Sequence, residues 1–422
     1  MVQGKVMQIL IVAPNASSRF GGEAFLPLKY FDLLLRRGQE VRLIAHSRNR
    51  ANLEETFPAH QGRIHYIEDS RLHRAIWHVG KLFPEPLRGA VFGTALNLAN
   101  EWFQARLIRR LVAAGQVDVI HQPIPVSPKL PSSLHGFGVP VVIGPMNGGM
   151  TYPPGYEDYE SAVARRFIAL SRQIAVAMNL FIPGKRRAAA LLVANGRTRA
   201  ALPVRHPHVI DLVENAVDRA IWTVDGAARP ERAAGDPFRL VFMGRLVGWK
   251  AVDITLEAIR MARAQGRDVR LDVLGDGEIR AELEAQVAAA GLGDAVRFLG
   301  FLPQSDCALH LRQADGLILN SLYECGGAVV LEAMSLGLPV IASDWGGPAD
   351  YLDDSCGMLV HPAPRADFAA RLAAAILRLA DDPALAQQLG AAGRARVAAE
   401  FDWDKKIDRM MEIYAGVIGA AR

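Results

Sequence analysis

Short runs of β-branched and aliphatic residues recur along the chain, separated by longer stretches whose apolar positions return every three or four residues. A continuous apolar run fits a strand buried on both faces, and the three-to-four spacing fits an amphipathic helix. In the first half the pattern predicts strands at Gln8–Ala13, Glu40–Ala45, Arg63–Ile67, Val117–His121, Pro140–Ile143, Leu191–Ala194 and His208–Leu212. In the second half it predicts Arg239–Met243, Arg270–Leu274, Val296–Leu299, Gly316–Leu319 and Pro339–Ala342. Strands alternating with helices make parallel α/β sheets, so the fold class is α/β with two Rossmann-like, doubly wound domains. Ligands of such sheets sit beyond the carboxyl ends of the strands. Two such domains facing each other would leave a cleft between them. The expected domains are residues 1–215 and 216–402. Their junction is Ala216–Pro237, where Gly226, Pro230, Gly235 and Pro237 interrupt any periodicity.

Composition agrees with this layout. A chain of 422 residues suits two domains of roughly 200 each. Half of it is hydrophobic and 22% is charged, as in globular proteins. No apolar run reaches the ~18 residues that a spanning helix needs. The run Met7–Ala13 lacks a small-residue cleavage signal and reads as a buried strand rather than a signal peptide. Cys307, Cys325 and Cys356 have no metal spacing and read as free thiols in a reducing cytoplasm.

The net charge of +4 is unevenly spread. Residues 1–215 hold 26 Lys+Arg against 15 Asp+Glu, and the remainder 22 against 29. The basic half suits an anionic surface or acceptor, although a chance imbalance of solvated faces reads equally well. Two segments mix cations with aromatics. Residues 71–112 hold Trp77, Phe83 and Trp102 among arginines, and residues 165–187 hold Phe167 and Phe181 among Arg165, Arg166, Arg172, Lys185, Arg186 and Arg187. They fit amphipathic helices that cover a sheet with snorkelling arginines, or a peripheral contact with an anionic membrane face.

The strongest chemical signal runs from Ser321 to Val340. A strand enters a loop with Glu324, Gly326 and Gly327, and a helix starts near Ala328 and stops at Gly337. Backbone N–H groups and the helix dipole at such a start suit a diphosphate. Glu324 lies in the loop, placed for sugar hydroxyls. Glu332 falls about one turn into an apolar helix, where a ribose diol would partner it. A second signal, Gly244-Arg245-Leu246-Val247-Gly248-Trp249-Lys250, follows the first strand of the second half. Arg245 and Lys250 there can neutralise a departing diphosphate without a metal. A third loop, Gly144 to Met150, follows the strand Pro140–Ile143, and Asn147 and Gly148 are its candidate acceptor groups.

With these elements the chain resembles the family-4 glycosyltransferases of the GT-B fold, retaining enzymes that use nucleotide-diphosphate sugars. The resemblance rests on Glu-x7-Glu at Glu324 and Glu332, Gly-Arg-Leu-x3-Lys at Gly244, Arg245 and Lys250, and Asn-x-Val-Asp at Asn215–Asp218. It extends to Gly21-Gly22 and to Asp-Val-Ile-His at Asp118–His121. It implies that Arg245 and Lys250 hold the donor diphosphate, Glu324 the donor sugar and Glu332 the ribose. It implies a close backbone approach at Gly22 and Gly326–Ala328, and His121 near the reacting centre. The C-terminal helix, residues 403–422, is expected to return toward the first domain. The chain departs from the family at Cys325-Gly326, where Gly-Phe is usual, and at Pro123, where a second His is often found.

The expected activity is metal-independent transfer of a hexose from GDP-mannose or a UDP-sugar to a glycan or lipid-linked acceptor, with no other cofactor. Cytoplasmic work in polysaccharide biosynthesis, peripheral at the inner membrane face, would suit it. No Asp-x-Asp falls between a strand and a loop, where it would hold a metal, and no His/Cys cluster has metal spacing. Three alternatives are a GT-B-fold nucleotide-sugar epimerase, a Rossmann oxidoreductase and a non-catalytic membrane scaffold. The oxidoreductase lacks its Gly-x-Gly-x-x-Gly, since Ala13-Pro14-Asn15-Ala16 follows the first strand. The scaffold leaves Arg245, Lys250, Glu324 and Glu332 without purpose. No nucleic-acid motif accompanies the basic half.

Overall fold

The computed structural model describes residues 6–18, 22–83, 88–159, 162–223 and 235–421. The chain divides into two compact units. The first comprises Met1–Gly149, Ser161–Glu214 and Asp404–Arg422; the second comprises Met150–Glu160 and Asn215–Trp403. Gly21 and most of the junction, including Gly226 and Pro230, lie outside the described residues.

The first unit is built on seven parallel strands: β1 (Gln8–Val12), β2 (Glu40–His46), β3 (Ile64–Ile67), β4 (Val119–Gln122), β5 (Val141–Met146), β6 (Ala190–Val193) and β7 (Val209–Asp211). Their order is β3-β2-β1-β4-β5-β6-β7. The central strands are buried on both faces, which is why they read as unbroken aliphatic runs. Leu10, Val12, Ile120, Val141 and Leu191 share one core cluster. The helix Trp403–Ala421 belongs to this unit. Buried Tyr414 and Lys406 fix it, the first to His121 and the second to the Glu214 carbonyl.

The second unit has six parallel strands: β8 (Phe238–Met243), β9 (Val269–Leu274), β10 (Val296–Gly300), β11 (Gly316–Leu319), β12 (Val340–Ser343) and β13 (Met358–Val360). The order is β10-β9-β8-β11-β12-β13. β13 is the strand that periodicity overlooked. It has three residues on the sheet edge, too few to show a pattern. The segment Met150–Glu160, placed by sequence in the first domain, clusters with the second unit. Tyr156 donates to the Pro362 carbonyl at 3.1 Å, Arg365 pairs with Asp158 at 2.7 Å, and the Trp345 indole donates to the Thr151 carbonyl at 2.8 Å.

Both sheets reverse their winding once, between β1 and β4 and between β8 and β11. Such a reversal leaves a crevice at the carboxyl ends of the two strands.

Candidate active site

At the reversal of the second sheet, the chain leaves β8 into Gly244–Lys250 and leaves β11 into Asn320–Gly327. These loops carry the charged residues of both sequence signals. The Lys250 ammonium donates to the Glu324 carboxylate, with both side chains mostly shielded. Gly244 lies against them, since a Cβ there would stand 3.7 Å from the Lys250 Nζ. Gly327, with φ +83°, caps the helix Ala328–Ser335 and faces the Glu324 side chain. Lys250, Glu324, Gly244, Gly327 and the first N–H groups of that helix therefore converge on one spot.

The loops are held from behind. Asn320, fully buried, donates to the Ala251 carbonyl at 2.8 Å and accepts from the Thr255 hydroxyl at 2.6 Å. The Leu322 N–H donates to the Trp249 carbonyl at 2.8 Å. Ala251 takes φ +53°, a left-handed conformation that costs an alanine roughly 1–2 kcal/mol. These bonds stitch the turn carrying Lys250 to the end of β11.

Two further loops support the same place, and sequence reasoning missed them. After β9, a Cβ on Gly275 would come within 1.9 Å of the Gly244 carbonyl oxygen. After β12, a Cβ on Gly347 would come within 2.1 Å of the Gly326 carbonyl oxygen, and its N–H donates to the Glu324 carbonyl at 2.8 Å. The Gly-Asp-Gly after β9 and the Gly-Gly after β12, each following a buried strand, were the available signals. Ser321, fully buried just after β11, has no hydrogen-bond partner for its hydroxyl among the described residues.

Arg245 shares the first loop but pairs with Glu278 of the loop after β9, with both side chains exposed. Glu332 sits in the helix behind Gly327, half-buried and with no charged partner among the described residues. Burial alone pushes its carboxyl up to about 7, so near neutrality it can donate as well as accept a hydrogen bond. Cys307 lies near it, and burial with the Glu332 charge pushes that thiol up to about 11, too high for a thiolate nucleophile at neutral pH. All three cysteines are free thiols.

The remaining candidates belong to the first unit. His121 stands at the end of β4, beside the reversal, but is fully buried. Its Nε2–H donates to the Gly144 carbonyl at 2.6 Å, and its Nδ1 accepts from the Tyr414 hydroxyl at 2.7 Å. Burial pushes its pKa down to about 4. A neutral ring with both nitrogens occupied positions the sheet and the last helix; it offers no free atom to a substrate. Asn147 is buried too. It donates to Glu214 at 2.5 Å and accepts from the Thr198 hydroxyl at 3.3 Å. The Gly148 N–H donates to Thr198 at 3.0 Å. Gly22 opens a short turn, Gly22–Phe25, after β1, with open space around its α-carbon.

One group among the described residues brings metal-type ligands together: His46, Asp69 and His73, within 4.8 Å of one another. Backbone N–H groups of Arg48 and Ser70 donate to the Nδ1 atoms of His46 and His73. Both rings then carry their protons on Nε2, and His46 turns that proton toward Asp69 at 3.3 Å. A metal there would have to displace these protons or bonds.

Residues 226–396 match the model of the family Glycosyl transferases group 1. A glycogen synthase of Mycobacterium tuberculosis is 33% identical over 206 residues, 49% of this chain and 48% of that protein. A 2-deoxystreptamine glucosyltransferase of Streptomyces kanamyceticus is 33% identical over 247 residues, 56% of this chain and 63% of that protein. The chain thus spans about half to under two thirds of the length of these curated relatives. The crystal structure of Anabaena HepE in complex with UDP is similar in fold, with a TM-score of 0.65 at 17% identity, covering 97% of this chain and all of that one. The two-sheet α/β architecture is that of the GT-B fold, and its second half, residues 226–396, matches the Glycosyl transferases group 1 family.

Proposed function

We propose that this chain is a glycosyltransferase that moves a hexose from a nucleotide-diphosphate sugar to a glycan or lipid-linked acceptor, with retention and without a metal. The observation that carries the reading is the convergence of Lys250, Glu324 and the start of the helix Ala328–Ser335 at the sheet reversal. The match of residues 226–396 to a glycosyltransferase family supports it. The UDP in Anabaena HepE supports a uridine donor over GDP-mannose.

In this reading the diphosphate lies at the helix start, where N–H groups, Lys250 and Arg245 neutralise it as it leaves. Substrate entry transfers Lys250 from Glu324 to phosphate and frees Glu324 for the donor sugar's hydroxyls. Glu332 receives the ribose. The leaving phosphate serves as base for the acceptor hydroxyl on the same face of the sugar, so the protein supplies positioning and charge. His121, Asn147 and Gly148 act by holding structure. Cytoplasmic work at the inner face of a membrane would fit a lipid-linked acceptor. The epimerase alternative is not favoured, because the relatives named above are a synthase and a transferase.

A panel of nucleotide sugars tests the reading by thermal stabilisation and by transfer in the presence of a chelator. One donor should raise the melting temperature and be consumed in chelator. Stabilisation by none, or consumption that stops on chelation and returns with a divalent cation, overturns it.

A further inference from the structure

Three helices of the first unit carry an apolar, basic face that the proposed chemistry does not use. The helices Arg71–Gly80 and Gly93–Ala113 pack on each other, and Ala162–Phe181 lies against the turn Arg88–Phe92 that precedes the second. Among the described residues, sixteen large apolar side chains are exposed, and twelve of them fall in residues 71–113 and 162–181. Leu82 is 82% exposed, Phe181 84%, Leu180 60% and Trp102 51%. Large apolar groups scattered singly are normal on a soluble surface, but this many on adjoining helices mark a contact face.

The charge on this face has one sign. Residues 71–113 and 162–187 hold thirteen Lys and Arg against two acids, Glu85 and Glu101; of the cations, Lys185 is buried and donates its ammonium to the Pro128 carbonyl. Glu85 lies outside the described residues. Glu101 is buried, where it accepts from Gln122 at 2.8 Å and from Ser133 at 2.7 Å, so it neutralises nothing outside. The cations are placed beside the aromatics. The Arg106 guanidinium lies 3.9 Å over the Trp102 ring, and the Lys81 Nζ 5.2 Å over that of Trp77. A tryptophan with a cation on its ring matches the boundary between lipid headgroups and acyl chains, where indoles settle and cations reach the phosphates.

We propose that this face docks on an anionic lipid surface, with Trp77, Leu82, Trp102 and Phe181 entering the headgroup boundary and the surrounding arginines meeting lipid phosphates. A second copy of the chain fits poorly, because a two-fold contact would set the exposed Arg71, Arg74, Arg106, Arg109 and Arg110 against their own copies. A nucleic acid has phosphates but no apolar layer for Leu82 and Phe181. The proposal deepens the reading of a lipid-linked acceptor and rests on it for its purpose, though not for its measurement.

The test is sedimentation of the full chain, without substrates, with vesicles of phosphatidylcholine alone and with one third phosphatidylglycerol. Binding should need the anionic lipid and fall steeply with salt. The triple variant Arg74→Gln, Arg106→Gln, Arg110→Gln should bind on the order of 100-fold more weakly, near fivefold for each cation lost. The variant Trp77→Ala, Leu82→Ser should lose a comparable amount, with its circular dichroism spectrum and melting temperature as checks of folding. Absence of anionic-vesicle binding by the folded parent overturns the proposal. So does a lipid-free dimer that the apolar variant dissociates, or binding to RNA that vesicles do not compete. Donor stabilisation, measured without lipid, separates failure of this surface from failure of the transferase reading.

Discussion

Lys250 and Glu324, 74 residues apart in sequence, form an ion pair where β8 and β11 end. Each holds the other, and each is a candidate group for a different part of the donor. Removing the ammonium leaves Glu324 without this partner and, in the proposed reading, takes a cation from the departing diphosphate. Lys250→Ala should lower turnover by about 10²–10³-fold, the loss typical when one preorganised donor to a developing charge is deleted. Its melting temperature should fall by only a few degrees. Transfer kinetics beside thermal melting check this, and a rate within threefold of the parent removes Lys250 from the chemistry.

Glu332 sets a pH dependence of the ligand-free protein. Its folded pKa, about 7, lies above the ordinary value of 4.5. The folded state therefore binds the proton more tightly than the unfolded chain. The stabilisation is complete below 4.5 and is lost as pH rises through the window to about 7, by up to about 3 kcal/mol. Glu332→Gln cannot ionise, so it should be more stable than the parent at pH 8 and equal to it near pH 4.5. Urea midpoints at the two pH values give the difference, and equal midpoints at pH 8 place Glu332 in an ordinary environment.

His121 behaves in the opposite sense and serves structure. Its pKa is depressed from 6.5 to about 4, so its stabilisation is present above 6.5 and is lost as pH falls through that window. Tyr414→Phe deletes the O–H that meets Nδ1 and should cost about 1 kcal/mol of stability. Turnover should stay within a few-fold of the parent. A hundredfold loss of turnover at unchanged stability would return His121 to the reacting centre.

Gly275 and Gly347 are predicted to be intolerant of any side chain. Alanine at either would drive a methyl group into a carbonyl oxygen of a neighbouring loop. Such overpacking costs about 1–3 kcal/mol and shifts the backbone around Gly244 or Gly326. Donor-induced stabilisation should shrink in both variants. Gly419→Ala, in a helix with open space around the α-carbon, is the control and should gain up to about 1 kcal/mol. Equal behaviour of the three variants would show that the loops have room.

Much of this was legible before the fold was seen. Gly316–Leu319 and its neighbours announced themselves because a strand buried on both faces has no polar alternation to confuse it. Lys250 and Glu324 were legible as residue types near glycines after strand ends, and Glu332 as a carboxylate inside an apolar helix. The orientation of His121 was not, because its partners lie 23 and 293 residues away. The same holds for Asn147, whose bond to Glu214 spans 67 residues. Gly275 and Gly347 escaped because each matters for the backbone of another loop, and a glycine in sequence does not say what it must avoid.

The first unit is closed by residues 404–421, which a ribosome delivers only after every residue of the second unit has emerged. Lys406 and Tyr414 are then the last pieces of a core begun at β1. Until that segment packs, the first unit waits with the ring of His121 and the carbonyl of Glu214 uncovered. Cutting the chain near Trp403 would thus injure the unit whose strands are made first.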